Sequence, residues 1–222
     1  MSSPSSKPFE NFDFSEFWDD CDYARREYVE PRPTDFDVAF VEKQLGYRLP
    51  PSYIELCRNQ NGGTPKLTAF RLATPTSWAE DHVAISGIKA IGKKKLWSLY
   101  GSLGSQQAID EWEYPAIGIY FGDCPSAGHD MICLDYSECG PTGEPRVIHV
   151  DQESDYEITF LAPNFETFIR GLEPDDAFPL EDLDTSQVVS GWIDDDFLQK
   201  QAAAGSSGSS DEQAKKPWWR FW

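Results

Sequence analysis

Apolar residues first follow a helical spacing in the stretch that begins after residue 33. The apolar positions on one side of this stretch are Val38, Val41 and Leu45. Thr34 or Asp35 can cap the first turn, because a short polar side chain accepts hydrogen bonds from the free backbone amides there. Gly46 is expected to end the helix, since glycine readily adopts left-handed backbone. The pattern predicts an α-helix over residues 35–45.

A second helix is predicted to follow directly. Pro51 suits a first helical turn, where the amide donor that proline lacks would have no partner in any case. Its buried side is expected to consist of Tyr53, Leu56 and Cys57. The glycine-rich run at residues 61–63 stops it. The two segments together predict an N-terminal helical pair.

From residue 66 onward the pattern changes to short β-rich runs separated by Gly, Pro and Asp. The runs are residues 67–72, 83–91, 116–121, 131–135, 146–150 and 156–161. They predict a mainly antiparallel sheet. Residues 102–112, between two of these runs, predict a short helix packed over a sheet edge.

A closing helix is predicted after Pro163, with Asn164 as its N-cap. Its apolar face comprises Phe165, Phe168, Ile169 and Leu172. This spacing of i, i+3, i+4 and i+7 places the face in the core. The chain is therefore expected to adopt an α+β fold, in which a mainly antiparallel sheet packs with the N-terminal helical pair and the C-terminal helix.

The first segment, residues 1–32, is an arm rich in aromatic and acidic residues. Phe14, Phe17 and Trp18 have helical spacing, so one face is expected to dock on the main domain while the carboxylates stay in water. The arm lacks the basic and apolar regions of a secretion signal, and no apolar run is long enough to cross a membrane. The five cysteines contain no Cys-x-x-Cys pair, which indicates reduced thiols and a cytoplasmic location.

The charge balance limits the classes of partner. Thirty-eight acidic and 19 basic residues give a formal net charge of −19. A chain of this charge repels nucleic acid and favours encounter with a basic protein. Solubility alone is an alternative explanation of the same composition.

Three further segments follow residue 173. Residues 174–200 form an acidic extension with interspersed apolar residues, residues 201–214 are typical of a flexible linker, and residues 215–222 form a basic and aromatic peptide. Large aromatic side chains on a tether are costly to leave in water, so the last peptide is expected to dock on a partner or on the chain's own sheet. The acidic extension is either an interface for basic residues or a solvated amphipathic helix. The candidate partner-binding residues are Asp175, Asp176, Glu181, Asp182, Asp184, Asp194, Asp195, Asp196, Trp218, Trp219, Phe221 and Trp222.

The run from Val41 to Tyr53, followed by Asn61-Gly62-Gly63, resembles the opening of the SUKH (Smi/Knr-like) superfamily, which includes yeast cell-wall regulators and bacterial toxin-immunity proteins. Residues 117–119, 128–135 and 165–169 resemble the central strands and closing helix of that family. The similarity places a SUKH domain at residues 33–173. The motif residues are Glu42, Leu45, Gly46, Leu49, Pro50, Tyr53, Asn61, Gly62 and Gly63. Each also has a structural explanation in helix initiation, ring burial or left-handed backbone.

The resemblance implies an α+β fold, no catalytic residues, no cofactor and a role in recognising proteins, often a toxin neutralised inside the producing cell. The chain departs from the common family pattern at the insertion of residues 124–127, in the arm and after Glu173. Analogy with the family is weakest in these parts.

Two chemical alternatives depend on short motifs. Residues 87–93 match the spacing of a phosphate-binding loop, but Lys94 stands where Ser or Thr must hold magnesium. Cys124, His129 and His149 could form a thiol nucleophile with a base, or a metal site together with Cys133 and Asp130. Their spacing supports neither, and we expect no metal. The adjacent His129 and Asp130 form the strongest small polar cluster, because a carboxylate beside an imidazole fixes its tautomer.

Cys133 and His149 each lie between apolar residues of a predicted strand, which places them in the core. The expected function is therefore a non-catalytic protein-binding domain of the immunity type, with a basic toxin as partner and no nucleic acid or membrane. The alternatives are a regulatory adaptor that acts through the aromatic tail, and a metal-dependent or thiol enzyme at the Cys124, His129 and Asp130 loop.

Overall fold

The structure is a computed structural model that describes residues 7–76 and 78–178 of the 222-residue chain. The described helices are α1 (Asp22–Glu27), α2 (Asp35–Leu45), α3 (Pro51–Asn59), α4 (Ser105–Glu111) and α5 (Phe165–Arg170). Short 3-10 turns lie at Phe14–Glu16 and Asp175–Ala177. The strands are β1 (Trp18–Asp19), β2 (Thr64–Pro65), β3 (Ala69–Arg71), β4 (His82–Ala84), β5 (Gly87–Ile88), β6 (Gly118–Asp123), β7 (Asp130–Asp135), β8 (Arg146–Asp151), β9 (Glu157–Ala162) and β10 (Leu172–Glu173).

The described strands form three sheets. The largest has five strands in the order β5-β6-β7-β8-β9, and every neighbouring pair is antiparallel. A three-stranded sheet has the order β10-β3-β4, and β1 pairs with β2. Antiparallel pairing needs only short connections, which agrees with the turn residues between these runs. The predicted α+β fold with a mainly antiparallel sheet is confirmed.

The first predicted helix is confirmed as α2, with the predicted bounds. Thr34 and Asp37 form a capping box in which each side chain accepts a hydrogen bond from the other residue's backbone amide. Gly46 closes the helix in the left-handed region, at φ +79°. Just beyond this turn, the Glu42 carboxylate accepts a 2.9 Å hydrogen bond from the amide of Leu49. The side chain thereby fixes the chain's exit from α2.

The second predicted helix is confirmed as α3, which begins at Pro51. Asn61 follows it and joins two other segments, because its amide group donates to the carbonyls of Pro31 and Ile91 and accepts from the Ile91 amide. Gly62 has φ +84°, and a Cβ there would lie 2.8 Å from the carbonyl oxygen of Tyr28. Glycine is required at this position by both backbone conformation and space.

The five-stranded sheet separates two apolar clusters. The larger cluster contains the buried faces of α2, α3 and α5, together with Ile119, Ile132 and Val147 of the sheet. The smaller cluster lies on the other face and includes Tyr120, Met131, Cys133, Ile148 and Val150. Ala108 of α4 belongs to the smaller cluster. The prediction that this helix packs over a sheet edge was therefore wrong: α4 covers a sheet face.

The N-terminal arm lacks the helix suggested by its aromatic spacing. Residues 14–16 form a single 3-10 turn, and Trp18 lies in β1 opposite Pro65 of β2. Phe9, Phe17 and Trp18 are nevertheless buried in the larger cluster. Burial of the rings, rather than helical periodicity, determines the path of the arm.

The closing helix is confirmed from its Asn164 cap to Arg170. Phe165, Phe168 and Ile169 are buried, as the spacing predicted. Leu172 is also buried, but it lies in β10 opposite Phe70 of β3 rather than on the helix. The chain therefore returns from α5 directly into the three-stranded sheet.

Candidate functional site

The last strand of the large sheet, β9, carries an exposed apolar strip. Ile158 and Phe160 are 46% and 54% exposed. They lie opposite Val150 and Ile148 of β8, both of which are buried in the smaller apolar cluster. Directly opposed residues of an antiparallel pair lie on the same face of the sheet. The strip therefore continues the smaller cluster onto the exposed part of that face.

The outer edge of β9 makes no strand pairing within the described residues. In the described part of the chain, β9 pairs only with β8. An open edge presents backbone amide and carbonyl groups that can pair with a strand of another protein. The exposed carboxylate of Glu157 lies at the first residue of the same strand, and that of Asp155 lies in the turn just before it. The surface, which we call the β9 surface, thus combines an apolar strip, an open edge and negative charge.

A second exposed aromatic lies at the N-terminal helical pair. Phe36 of α2 is 78% exposed and lines a cleft of about 110 Å³ with Phe40, Arg32, Lys93 and Lys94. The ammonium of Lys93 lies 4.6 Å from the centroid of the Phe40 ring. Glu30 and Asp37 line this α2 cleft as well, so it carries charges of both signs, in contrast to the β9 surface.

The core also contains a buried ionic group. Lys89 is fully buried, and its Nζ lies 3.6 Å from Oδ1 of Asp123 and 4.4 Å from the centroid of the Trp97 ring. Tyr28 donates a 2.5 Å hydrogen bond to the other carboxylate oxygen of Asp123. Burial lowers the pKa of Lys89 and raises the pKa of Asp123, so each shift favours the neutral form despite the attraction between the two groups.

Cys124, Asp130 and His149 form a second buried polar group near the same end of the sheet. Nε2 of His149 lies 2.6 Å from Oδ2 of Asp130, and both side chains are buried. Burial raises the pKa of the Cys124 thiol well above its usual value, and the carboxylates of Asp130 and Asp123 raise it further. A thiol in this environment stays protonated at neutral pH, which is unfavourable for nucleophilic catalysis.

The predicted pairing of His129 with Asp130 was wrong. His129 lies in the loop before β7, is largely exposed and has Nδ1 2.5 Å from the carboxylate of Glu153. Asp130 begins β7 and points into the protein, where it meets His149 instead. The structure therefore does not bring together the Cys124, His129 and Asp130 set of the enzyme alternative.

The SUKH_6 family model, described as SMI1-KNR4 cell-wall, matches residues 35–169, which is more than half of the chain. The chain belongs to the SUKH superfamily. SUKH domains are generally non-catalytic and serve as immunity or regulatory proteins. No curated protein matches the chain at a significant level.

The matched SUKH region contains most of the sites described above. It begins at the first residue of α2 and includes β9, the α2 cleft residues Phe36 and Phe40, and the Cys124, Asp130 and His149 group. Within the described residues, no helix has the length and apolar character that a membrane span requires.

The candidate partner-binding residues of the sequence lie mostly outside the described residues. Asp175 and Asp176 are described, and both are exposed in the 3-10 turn after β10. Those outside the described residues are Glu181, Asp182, Asp184, Asp194, Asp195, Asp196, Trp218, Trp219, Phe221 and Trp222. Their role as an interface stays a prediction.

Three features of the described residues were missed by sequence reasoning. The first is the β9 surface, since alternation of Ile158 and Phe160 with polar residues indicates a buried face as readily as a docking face. The second is the Lys89–Asp123 pair. The third is Glu30, whose carboxylate accepts hydrogen bonds from the Ser98 hydroxyl and the Lys94 amide. No local signal marks the latter two, because their partners are distant in the chain.

Proposed function

We propose that this SUKH protein is an immunity-type protein that neutralises a toxin by binding it directly, without catalysis. The β9 surface is the observation that carries the proposal. Its two exposed apolar side chains adjoin a buried cluster, and its strand edge is open in the part of the chain that the structure describes. Exposed apolar patches of this kind commonly mark interaction sites in soluble proteins.

Charge indicates the kind of partner. The chain has a net charge of −19, and Asp155 and Glu157 place exposed carboxylates where β9 begins. Opposite charge on a partner accelerates encounter and selects against acidic competitors. We therefore propose a basic toxin whose exposed strand or apolar side chains cover Ile158 and Phe160.

The acidic extension and the aromatic tail are proposed as additional contacts. Asp175 and Asp176 are exposed and can face basic residues of a partner. Tail residues Trp218 and Trp222 have the size of typical interface anchors. If the tail alone recruits the partner, the protein is a regulatory adaptor rather than an immunity protein with a domain interface.

A co-expression experiment tests the proposed function. The chain would be expressed in a bacterial host together with a basic effector encoded beside its gene, and growth would be measured with and without induction of the effector. Restored growth and a stoichiometric complex of the purified proteins support the immunity function. Unrestored growth without complex formation contradicts it.

A truncated chain ending at Ala214 separates the two protein-binding hypotheses. A domain interface predicts that this version still restores growth, with weaker binding if the tail contributes contacts. An adaptor that acts through its tail predicts loss of binding while the folded domain persists, as measured by circular dichroism.

A further inference from the structure

The buried group of Cys124, Asp130 and His149 brings together three kinds of metal ligand. A thiol sulfur, a carboxylate oxygen and an imidazole nitrogen lie within 4.8 Å of one another. Thiolate, carboxylate and imidazole are the three side-chain ligands used by zinc sites in proteins. This set is defined by three neighbouring strands: Cys124 follows β6, Asp130 begins β7 and His149 lies in β8.

Two atoms of this group that could bind a metal lack a hydrogen bond of ordinary geometry. Oδ1 of Asp130 and Nδ1 of His149 are buried and make no hydrogen bond of ordinary geometry in the described part of the chain, although the Cys124 thiol lies close enough to donate a weak one to the Asp130 carboxylate. An unsatisfied buried polar atom costs on the order of 1–3 kcal/mol, and native proteins contain few of them. Nε2 of His149 faces the Asp130 carboxylate, so Nδ1 lies on the other side of the ring; the atoms available to a shared cation are Nε2, a carboxylate oxygen of Asp130 and the sulfur of Cys124.

A cleft of about 180 Å³ reaches this group from the surface. It is lined by Trp78, Ser126, His129, Asp130, Asp151 and Glu153. Three of these side chains are carboxylates, so the cleft attracts cations. Asp130 contributes to both the cleft and the buried group, which gives an ion a path to the ligands.

The strand register adds a further reason for a cation. Asp130 of β7 lies directly opposite Asp151 of β8. Like charges directly opposite each other in an antiparallel pair are destabilising. Hydrogen bonds from the amides of Glu153 and Ser154 and from the Ser154 hydroxyl satisfy the Asp151 carboxylate. A cation held by Asp130 would lower the repulsion between the two carboxylates.

We propose that Cys124, Asp130 and His149 bind a zinc ion, with a water molecule from the cleft as the fourth ligand. The ion replaces the thiol proton. Bond lengths of about 2.0–2.1 Å at a tetrahedral angle place nitrogen and oxygen ligands about 3.3 Å apart, so the 2.6 Å contact between Asp130 and His149 must open slightly. The site goes beyond the proposed protein-binding function, and it differs from the sequence expectation of no metal.

The site is expected to stabilise the end of the sheet. Zinc ligands on three adjacent strands would fix β6, β7 and β8 relative to one another, and binding free energy contributes to folding free energy. The buried position of the three ligands favours a structural rather than a catalytic ion. The expected consequence is higher thermal stability when zinc is present.

The test uses the full chain with Cys21→Ser and Cys139→Ser, which remove the two cysteines that are not fully buried. After treatment with a chelator, the protein is titrated with zinc, and bound metal and Tm are measured. One equivalent of bound zinc and a raised Tm are expected. Cobalt(II) should produce a thiolate-to-metal charge-transfer absorption, because Cys124 supplies a sulfur ligand.

Cys124→Ser and His149→Gln, each introduced into the chain that already carries Cys21→Ser and Cys139→Ser, should each weaken zinc binding at least tenfold and remove the zinc-dependent rise in Tm. Cys133→Ala is the matched control, since Cys133 is equally buried but belongs to the cluster on the other sheet face. Retention of zinc in Cys124→Ser overturns the proposal. If Cys124→Ser does not fold, the chain that retains Cys124 still tests the proposal. Binding of less than one equivalent of zinc, or a cobalt(II) spectrum without the thiolate-to-metal charge-transfer band, also overturns it.

Discussion

The hydroxyl of Tyr53 in α3 donates a 2.6 Å hydrogen bond to the backbone carbonyl of Lys89. Tyr53 is fully buried, and its ring lies 4.7 Å from the ring of Phe165 in α5. The tyrosine of the family motif therefore joins the helical pair to the segment after β5. The same Lys89 directs its ammonium towards Asp123, so one residue connects the motif with the buried ionic group.

Tyr53→Phe is expected to lower the free energy of unfolding by about 1–2 kcal/mol, because the Lys89 carbonyl then remains buried without a donor. Urea denaturation followed by circular dichroism measures the change. Tyr100→Phe is the control: it removes the hydroxyl of a half-buried tyrosine and should lower the free energy of unfolding by less than Tyr53→Phe does. Equal losses in the two variants would show that the Lys89 bond is not the cause.

Gly62→Ala should destabilise the protein far more than Gly46→Ala. Both glycines have φ near +80°, at +84° and +79°. A Cβ at Gly46 meets nothing within 4 Å, whereas one at Gly62 lies 2.8 Å from the Tyr28 carbonyl oxygen. Gly46→Ala should therefore cost only the backbone strain of about 1 kcal/mol. Chemical denaturation gives the free energy of unfolding of each variant, and the difference between the two values measures the steric clash at residue 62. A difference of zero would contradict the close packing at Gly62.

Lys89→Met is expected to cost about 3–5 kcal/mol, because it leaves the Asp123 carboxylate buried without its cation. The double variant Lys89→Met, Asp123→Asn should recover most of that loss, since neither remaining side chain carries a charge. A double-mutant cycle by urea denaturation gives the coupling free energy. Additive losses would mean that Lys89 and Asp123 do not interact.

Arg146→Gln should lower stability at pH 7 by about 2 kcal/mol and have a smaller effect in acid. Burial alone would raise the pKa of Asp135, but hydrogen bonds from Ser137 and the guanidinium of Arg146 outweigh it and lower this pKa. A lowered folded-state pKa contributes stability that is present above the unfolded value near 4 and is lost as pH falls through the folded value.

The difference between wild type and Arg146→Gln should thus shrink as pH falls from about 5 towards 3. Arg146 also pairs with the exposed Glu138. Glu138→Gln is the control and should cost about 0–1 kcal/mol, as an exposed ion pair does. A stability difference independent of pH would argue against a contribution from the charge of Asp135.

The helices could be predicted because their signals are local. Thr34, Gly46, Pro51 and Asn164 act on backbone groups within a few residues, so their effect is visible in the sequence. The arm was different: Trp18 is held by Pro65 in β1–β2 pairing, and that contact outweighs the helical spacing of the aromatic residues.

The buried polar groups could not be predicted because they depend on strand register. His129 precedes Asp130 in the chain, yet the partner of Asp130 is His149, which lies 19 residues away. The register of β7 with β8 decides which of the two imidazoles enters the core. Sequence reasoning placed His149 in the core but could not identify what it meets there.

Calorimetric titration of the purified basic partner into variants of the β9 surface tests the central claim most directly. Lysine at Ile158 and Phe160 removes the apolar strip, introduces positive charge and discourages strand pairing at an open edge. Because both side chains are exposed, the Ile158→Lys, Phe160→Lys chain should still fold. Phe36→Lys, at the exposed phenylalanine of the α2 cleft, is the matched control. We expect the double variant to bind the partner at least tenfold more weakly and Phe36→Lys to bind like wild type. Unchanged affinity of the double variant would contradict the assignment of β9 as the binding surface.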